Sequence, residues 1–478
     1  MIIINDIKNA FLPELIIVIF ILLNIILSFF INKNTYKKAR IINIIGILSA
    51  IISMAFMQIN PTYFSYNNSL LSNTYTIIFK IMILISNLLV ILVSSSMLRE
   101  KRKRTFEYFA IIQSATLASL LLISANDFLT AFVSMELLTM SCYFLTGFRK
   151  NHKSKEASLK YLITSASATI LFLFGISYLY GIFGNINIEE INEILLTQPI
   201  NILFITASLL IIVGAIFKLG CIPFSNWIID VYEGSTYTTC TFISLIPKIA
   251  ATAFISRLFV YIFQYSPILQ IITAFVAFIS IIYASIGAIK QTNIKRFYAY
   301  SSIIHSGFIL LTISVSNVYA LSSVLFYIFT YIFINIGVWS ASIIYNKEYN
   351  TDNIDDYKGL YYKHPYFSIA LIICLIALAG LPPTSGFIAK LYIFTAIVRT
   401  NTIFLLILLA TLLASVISIF IYIKIIKILF NKQQNNINLN HKFNKEKVIL
   451  YICALITILI CIYPDMLIKL SQITAYYI

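Results

Sequence analysis

The chain has 478 residues, of which 60% are hydrophobic and only 11% are charged. Ordinary soluble domains carry about 25% charged residues, so this composition excludes a soluble globular protein and indicates a polytopic membrane protein. The net charge of +16 is explained by where the basic residues lie, as shown below, and requires no nucleic acid. Every backbone polar group must find a partner inside lipid, so we expect an all-α fold without strands.

Repeated apolar runs of about 20 residues are long enough to cross a bilayer as helices. The N-terminus lacks a short apolar region with a small-residue cleavage site, so we expect the first run to be kept as a span. About fourteen transmembrane helices are predicted, near residues 11–31, 41–59, 75–98, 106–124, 127–147, 157–181, 201–224, 237–262, 268–289, 297–315, 319–345, 366–398, 402–430 and 448–470. No connection is long enough to form a separate soluble domain.

Basic residues are concentrated in alternate connections between these spans. They follow spans 1, 3, 5, 9, 11 and 13, as in Lys33–Arg40, Arg99–Arg104 and Lys432–Lys447. Neither lysine nor arginine occurs in connections 60–74, 125–126, 182–200, 263–267 and 316–318. Because cytoplasmic loops are enriched in these two residues, we expect the basic connections in the cytoplasm or matrix and both termini on the other side.

Four ionisable residues lie deep inside predicted spans, where a charge is costly and by default suggests a function. They are Glu136 in span 5, Lys218 in span 7, Lys248 in span 8 and Lys390 in span 12. A static ion pair that only joins helices is the alternative for each.

Two further residues have weaker positions. Lys160 lies nearer the cytoplasmic face, so it is either part of a proton pathway or a lysine whose long side chain only extends to the membrane interface. His305, about eight residues into span 10, is either a proton carrier or a buried, hydrogen-bonded histidine.

Spans 7 and 12 each combine glycine, proline and lysine in one apolar run, GAIFKLGCIPFSNW (214–227) and ALAGLPPTSGFIAK (377–390). Both contain the pattern G-x-x-P. The residues of the two predicted helix breaks are Gly220, Pro223, Gly380, Pro382 and Pro383.

A proline clashes with the carbonyl four residues before it and donates no hydrogen bond, so the Leu219 and Ala379 carbonyls should lack helical partners. In lipid this is tolerated only where the backbone is buried in protein or lines a hydrated cavity. Interrupted helices at corresponding positions are typical of transporters built from repeats. Two unrelated kinks are the alternative.

The breaks fall at the fourth span of two five-span units, residues 106–262 and 263–430. An odd number of spans gives the two units opposite orientations, which supports two inverted five-helix repeats. Residues 1–105 then form an N-terminal three-helix segment, and residues 431–478 form the last loop and helix.

Several motifs resemble subunit N of the proton-pumping NADH:quinone oxidoreductase, respiratory complex I. They are MELLTMSCYFLTGF, KEASLKYLITSASA, FKLGCIPFSNWIIDVYEGS, IPKIAA, IKQTNIKRFYAYSSIIHSGF and AGLPPTSGFIAKLYIF. The segment DVYEG (Asp230–Gly234) points to subunit N among the related antiporter-like subunits. The resemblance implies fourteen helices in two inverted repeats with broken helices 7 and 12, and a proton pathway through Glu136, Lys160, Lys218, Lys248 and Lys390.

The chain departs from the family pattern in the loop after span 7. Ser225 replaces the usual histidine after Pro-Phe, and Ile229 and Thr236 replace common prolines. These changes put a proton role for that loop in doubt and leave the intramembrane charges intact.

The resemblance implies a membrane-arm subunit that moves protons while quinone is reduced in other subunits. We expect Glu136 and Lys218 to form a switchable pair joined by a direct or water-bridged hydrogen bond, with Lys248 as the central relay and Lys390 as the group that loads or releases toward the other side. Two other functions stay open, a subunit of a multisubunit cation/proton antiporter and a purely structural membrane subunit.

Six single cysteines form no CxxC pair, and no phosphate-binding loop is present. We therefore expect no cofactor or metal in this chain, with flavin and iron–sulfur clusters in other subunits. The expected partners are other membrane-arm subunits and the lipid bilayer, with quinone only indirectly and no nucleic acid. The expected location is the bacterial inner (cytoplasmic) membrane or, alternatively, the mitochondrial inner membrane.

Overall fold

The computed structural model describes residues 11–30, 36–55, 57, 63–65, 68–94, 104–197, 200–400, 402–431 and 445–477. The described helices, in chain order, are α1 (Leu12–Phe30), α2 (Tyr36–Met54), α3 (Thr74–Val93), α4 (Thr105–Ser124), α5 (Phe128–Gly147), α6 (His152–Phe183), α7 (Ile188–Thr197), α8 (Ile202–Leu219), α9 (Asn226–Gly234), α10 (Tyr237–Tyr261), α11 (Pro267–Ile289), α12 (Ile294–Ile313), α13 (Val318–Tyr349), α14 (Leu360–Lys363), α15 (Pro365–Ala379), α16 (Ser385–Val398), α17 (Thr402–Phe430), α18 (Lys445–Ile462) and α19 (Asp465–Ala475). Two 3₁₀ turns, Phe263–Tyr265 and Ile354–Tyr357, complete the helical elements.

Each of the fourteen predicted spans falls on one helix or on one interrupted helix. Ten described helices are long and apolar enough to cross a membrane, or eleven if the bent pair α18 and α19 is one span. The predicted all-α polytopic membrane fold is confirmed. The limits of the two repeats and of the terminal segments remain predictions.

Span 2 begins earlier than predicted. Its helix starts at Tyr36, so Lys37 and Lys38 belong to the first helical turn and not to a connection. Both side chains are exposed, whereas Arg40 is buried and donates to the Leu92 carbonyl at 2.8 Å. Long basic side chains can extend from a helix end toward water, which is why a basic sequence did not mark the helix limit.

Polar side chains fix where several helices begin. Asn73 caps α3, Asp127 caps α5, Asn151 caps α6, Thr236 caps α10 and Asn317 caps α13. Each accepts a hydrogen bond from a backbone amide in the first turn, which would otherwise lack a partner.

A small hairpin corrects the prediction of a fold without strands. Strand β1 (Tyr63–Ser65) pairs antiparallel with β2 (Leu70–Ser72) in the connection between α2 and α3. Asn68, in the turn between them, has a φ of 64°, a left-handed conformation in which asparagine is enriched. The hairpin lies in a connection and not inside a span, so the lipid argument against strands does not apply to it.

The connections without basic residues meet at one end of the molecule. The Asn126 amide donates to Ser69 at 2.8 Å, and the Ile188 amide donates to Asn126 at 2.9 Å. The buried Arg257 also donates to the Asn126 side chain at 2.7 Å. These contacts join residues 68–69 of the hairpin turn to connections 125–127 and 184–187.

Basic connections meet at the opposite end. Glu233, at the end of α9, accepts from Arg296 at 2.6 Å and pairs with Lys153 at 3.6 Å. Lys295 pairs with Asp352 at 3.2 Å. In these contacts the basic connections lie apart from those without lysine or arginine. Arg399 is an exception, since its guanidinium lies 5.1 Å from the centre of the Tyr319 ring, next to connection 316–318. Segments 31–35, 95–103 and 432–444 lie outside the described residues.

Cysteine labelling in membrane vesicles will test which end faces the cytoplasm. We expect Lys347→Cys and Gln434→Cys to react only with reagent on the cytoplasmic side, and Thr197→Cys only with reagent on the opposite side. Lys347 and Thr197 are exposed, and five of the six native cysteines are buried, so the background is low. Labelling of Gln434→Cys from the side that labels Thr197→Cys would contradict the fourteen-span topology.

The centre of the fold is formed by α10 and α13. In the most apolar 18-residue segment of each helix, 94% of the residues of α10 and 89% of those of α13 are buried, compared with 22% for α1 and 33% for α17. Helix α10 packs against α3, α4, α8, α12 and α13. A charged side chain on α10 is therefore enclosed by protein and not by lipid.

Candidate functional site

Both predicted helix breaks are confirmed. Helix α8 ends at Leu219 and α15 ends at Ala379. The next residues, Gly220 and Gly380, have φ values of 74° and 76° and donate to carbonyls of the last helical turn. This left-handed glycine is a common helix terminator, so the glycine ends each helix, and the prolines lie in the segments before α9 and α16.

The second break is where Lys390 binds. Its ammonium, on α16, donates to the Ala379 carbonyl at 2.7 Å and lies 5.2 Å from the centre of the Phe308 ring. A polar group at the Ala379 carbonyl was predicted, and this is confirmed. The corresponding statement for Leu219 remains a prediction.

Gly380 provides the space for this contact. A Cβ atom at Gly380 would lie 2.5 Å from Cδ and 2.9 Å from Nζ of Lys390. The glycine therefore serves two purposes, since it permits the left-handed turn and lets the lysine side chain pass against the backbone.

The first break brings Lys218 to α5. Its ammonium donates to the Thr139 hydroxyl and, at 3.4 Å, to the Met135 carbonyl. Glu136, on the same helix, is half-buried, and its Oε1 accepts from the Thr169 hydroxyl at 2.5 Å. The direct form of the predicted Glu136–Lys218 hydrogen bond is not made, because each side chain has a hydroxyl of its own. The two charges remain within electrostatic reach.

Lys248 lies at the centre of α10, with a side chain that is 5% exposed. Its ammonium donates to the Ser302 carbonyl at 2.7 Å, to the Ser306 hydroxyl at 2.8 Å and to the Ser302 hydroxyl. The Ser302 hydroxyl is 3.2 Å from the Tyr232 hydroxyl. The partners of this lysine are thus neutral groups on α12, and one of them also contacts Tyr232 on α9.

His305 lies between Lys248 and Lys390 on α12, and the charges of both lysines act on its ring. Its Nδ1 is 2.6 Å from the Tyr327 hydroxyl, and its Nε2 is 3.5 Å from the Tyr422 hydroxyl. A cavity of about 10 Å³ separates the histidine from Lys390. That volume is close to the minimum for one water molecule.

Hydrogen-bonding side chains surround this central region. The Tyr331 hydroxyl accepts from Asn335 at 2.8 Å, and Asn335 accepts from the Ser244 hydroxyl at 2.7 Å. The Tyr331 ring lies 4.9 Å from the ring of His305. Between Lys248 and Lys390 the site therefore combines hydroxyl, amide and imidazole groups with apolar residues of the cavity wall, such as Ile334 and Ala389.

Lys160 is not brought into this set. Its side chain is 46% exposed and pairs with Glu156 and Asp230, at 2.9 Å each, at the basic end. This is the interfacial position that the sequence left open as an alternative.

One buried pair was missed by the sequence analysis. Glu14 on α1 and Lys80 on α3 lie 2.7 Å apart, and both side chains are fully buried. Lys80 is only five residues into the predicted span 75–98, so the criterion of a deep position that selected Lys248 did not select it. By contrast, Lys218, Lys248 and Lys390 form no ion pair within the described part of the chain, and their nitrogens contact hydroxyls and carbonyls.

Comparison with known proteins identifies the family to which this chain is related. Residues 125–418 match the family described as "NADH:quinone oxidoreductase/Mrp antiporter, TM". The chain is 35% identical to NAD(P)H-quinone oxidoreductase subunit 2, chloroplastic, of Mesostigma viride, across 98% of this chain and 96% of that protein. It is 33% identical to NAD(P)H-quinone oxidoreductase subunit 2 of Prochlorococcus marinus subsp. pastoris, across 98% and 95% of the two chains.

A solved structure has the same fold. A chain of respiratory complex I from Thermus thermophilus, determined with bound aureothin, superposes with a TM-score of 0.81 at 23% identity, covering 96% of this chain and 99% of that one. The family match covers more than half of this sequence, and the relatives above align with nearly all of it. The chain is therefore a member of the NADH:quinone oxidoreductase/Mrp antiporter membrane family.

Proposed function

We propose that this chain is the proton-translocating membrane-arm subunit of an NADH:quinone oxidoreductase that corresponds to subunit N of respiratory complex I. Its relatives are named as subunit 2 of NAD(P)H-quinone oxidoreductases. The observation that carries the proposal is the contrast between Lys80, which pairs with a buried carboxylate, and the three lysines of the site, which do not. A lysine that only joined helices would be expected to look like Lys80.

Neutral partners suit a lysine that changes its protonation state. Burial in an apolar environment favours the neutral amine, whereas a nearby carboxylate favours the ammonium. Serine and threonine hydroxyls both donate and accept, so Ser302, Ser306 and Thr139 can bind a lysine in either state. Lys248 and Lys218 can therefore release a proton without losing every hydrogen bond.

The proposed proton path runs between the two helix breaks. Lys218 and Glu136 hold charge at the first break, Lys248 relays at the centre, and Lys390 exchanges at the second. His305 and the small cavity beside it supply the step between Lys248 and Lys390. Among the described residues, no hydrogen-bonded chain joins Lys218 to Lys248, so that step requires a movement or water.

The Lys390 contact gives the second break a role in this path. As an ammonium, Lys390 donates to the Ala379 carbonyl, which can only accept. A neutral amine forms a weaker hydrogen bond with that carbonyl. Loss of the proton would therefore loosen the connection between α15 and α16, which links the charge on Lys390 to the geometry of the break.

The rest of the assignment follows from this function. Redox chemistry, with flavin and iron–sulfur clusters, is proposed to reside in other subunits, and quinone is proposed to act on this chain only indirectly. The proposed partners are the other membrane-arm subunits, within the bacterial inner membrane. A cation/proton antiporter subunit is the second candidate, because the family includes such proteins. Co-purification with redox subunits distinguishes the two.

Substitution of Lys218 tests the proposal. We expect Lys218→Ala to lower the number of protons translocated per NADH oxidised in sealed vesicles, while NADH oxidation persists at least in part. Lys218→Arg should have the same effect, because a guanidinium keeps its proton in this pH range. Lys424→Ala is the matched control, since Lys424 also donates to a backbone carbonyl, that of Ile289 at 2.9 Å, but is exposed. An unchanged ratio for Lys218→Ala in a fully assembled complex would contradict the proposal.

A further inference from the structure

A large polar cavity opens at the basic end of the molecule. Its volume is about 1080 Å³, and the residues that line it include Tyr108, Tyr237, Lys295, Asn346, Lys347 and Asp352. We call this cavity the vestibule. It lies where the connections before α6, α10, α12 and α14 meet, which is the end predicted to face the cytoplasm.

Three side chains in mutual contact, Tyr237, Lys295 and Asp352, form the inner end of the vestibule, and we call them the floor cluster. Tyr237 donates to Asp352 Oδ1 at 2.6 Å, and Lys295 lies 3.2 Å from Asp352 Oδ2. The Lys295 nitrogen also lies 4.4 Å from the centre of the Tyr237 ring. Lys295 is 3% exposed, whereas a third of the Asp352 side chain is accessible. The carboxylate is thus the member of this floor cluster that faces water.

A polar stripe continues from the floor cluster toward Lys248. Tyr237, Thr241, Ser244 and Lys248 follow one another at helical spacings of four, three and four residues, so they share one face of α10. The stripe is about 16 Å long at 1.5 Å per residue. The Ser244 hydroxyl, one turn before Lys248, donates to Asn335 on α13.

Trp339, on the neighbouring helix α13, packs against the end of this stripe at Tyr237. It is fully buried on α13, one turn from Asn335 toward the vestibule. Its ring meets those of Tyr232, Tyr237 and Tyr298 edge to face, with centres 5.7, 6.0 and 4.9 Å apart. The indole and the rings of its aromatic neighbours form a layer between the floor cluster on one side and Ser244 and Asn335 on the other. Thr241, the stripe residue at this level, already donates its hydroxyl to the Tyr237 carbonyl at 2.8 Å.

We propose that the vestibule is the mouth through which protons from the basic end reach Lys248, and that Trp339 is the barrier that separates the two. The inference rests on the proposed function and adds a site to it. Asp352 and Tyr237 receive the proton from water in the vestibule, and Ser244 and Asn335 receive it below the barrier. With the Trp339 ring in the position seen in the structure, the upper and lower parts of the path are separated and water cannot pass. Movement of the ring joins them.

The barrier can be tested by cysteine accessibility, without any measurement of pumping. The assembled complex is prepared with the six native cysteines replaced and is treated from the basic end with a small cationic methanethiosulfonate reagent. We expect Lys347→Cys, in the vestibule, to react rapidly, and Ser244→Cys to be protected. Adding Trp339→Ala should raise the rate at Ser244→Cys about tenfold or more, equivalent to about 1.4 kcal/mol of opening free energy, and should leave Lys347→Cys unchanged.

A milder variant and a second measurement complete the test. Trp339→Phe keeps an aromatic ring and should give an intermediate rate, which preserves the test if Trp339→Ala fails to assemble. Asp352→Asn and Tyr237→Phe should reduce protons translocated per NADH and leave NADH oxidation in place. Equal labelling of Ser244→Cys with and without the indole would overturn the barrier. Normal pumping by Asp352→Asn and Tyr237→Phe, in a complex that Lys248→Ala inactivates, would overturn the mouth while leaving the proposed function intact.

Discussion

Replacement of Lys248 by alanine is expected to abolish proton translocation through this chain while leaving the complex assembled. Lys248 is the only titratable group on the α10 stripe below the Trp339 barrier, and its ammonium contacts Ser302 and Ser306. A positioned proton-transfer group typically contributes about 10² to 10⁴ in rate. The translocation rate through this chain should therefore fall by at least about 10²-fold.

Assembly should survive the same substitution for an energetic reason. Loss of the ammonium removes one donor from the oxygens of Ser302 and Ser306, which costs about 1–3 kcal/mol, although the Ser302 carbonyl still accepts from the Ser306 hydroxyl at 2.9 Å. The change also removes a buried lysine that has no ion pair in the described structure, and charges of this kind are expensive to keep. The two effects oppose each other.

The measurement is the number of protons moved per NADH oxidised, together with the amount of complex in the membrane. Lys248→Arg should assemble and also fail, because arginine does not give up its proton. Ser306→Ala is the control, since it removes one of three contacts and keeps the titratable group. If Lys248→Ala pumps normally, or if it reduces pumping only in proportion to lost assembly, Lys248 is a structural residue.

Gly380→Ala is expected to uncouple translocation almost as strongly, although the substitution adds only one methyl group. Its Cβ would collide with the side chain of Lys390, at 2.5 Å from Cδ, and displace the ammonium from the Ala379 carbonyl. The left-handed backbone adds a cost of about 1–2 kcal/mol for any residue with a Cβ. The loss of function should exceed what this strain explains.

Gly184→Ala isolates the strain from the collision. Gly184 also has a left-handed backbone, with a φ of 66°, but a Cβ at this position would meet nothing within 4 Å. Both variants should lower the unfolding temperature of the complex, Gly380→Ala by more because it also breaks a buried hydrogen bond, and only Gly380→Ala should lower protons per NADH. If the two variants translocate the same number of protons per NADH, the Lys390–Ala379 contact plays no part in translocation.

The helix breaks could be predicted from the sequence because their causes are local. Glycine permits the left-handed turn at its own position, and proline removes its own hydrogen bond. For the same reason the Ala379 carbonyl could be named in advance as a group that needs a partner. That Lys390, eleven residues later, supplies the partner is a consequence of how α16 folds back on α15.

The partners of the other lysines could not be predicted, because they come from different helices. Thr139 binds Lys218 from α5, and Ser302 binds Lys248 from α12. Serine and threonine occur throughout apolar spans, so no spacing distinguishes those that face a lysine. The expected Glu136–Lys218 bond followed from opposite charge alone and did not take the competing hydroxyl of Thr169 into account.

The pair Glu14–Lys80 limits how this protein can be shortened. Helix α1 lies at the periphery, and several of its large side chains are more than half exposed, such as Phe29 at 77%. Judged only by the exposure of its side chains, α1 is a lipid-facing helix that the fold could lose. Its one carboxylate, however, is fully buried against the Lys80 ammonium, and removal of one partner of a buried pair costs about 3–5 kcal/mol. Loss of α1 alone therefore removes the carboxylate of a buried pair, so deletion of this helix carries a stability cost that its lipid-facing surface does not reveal.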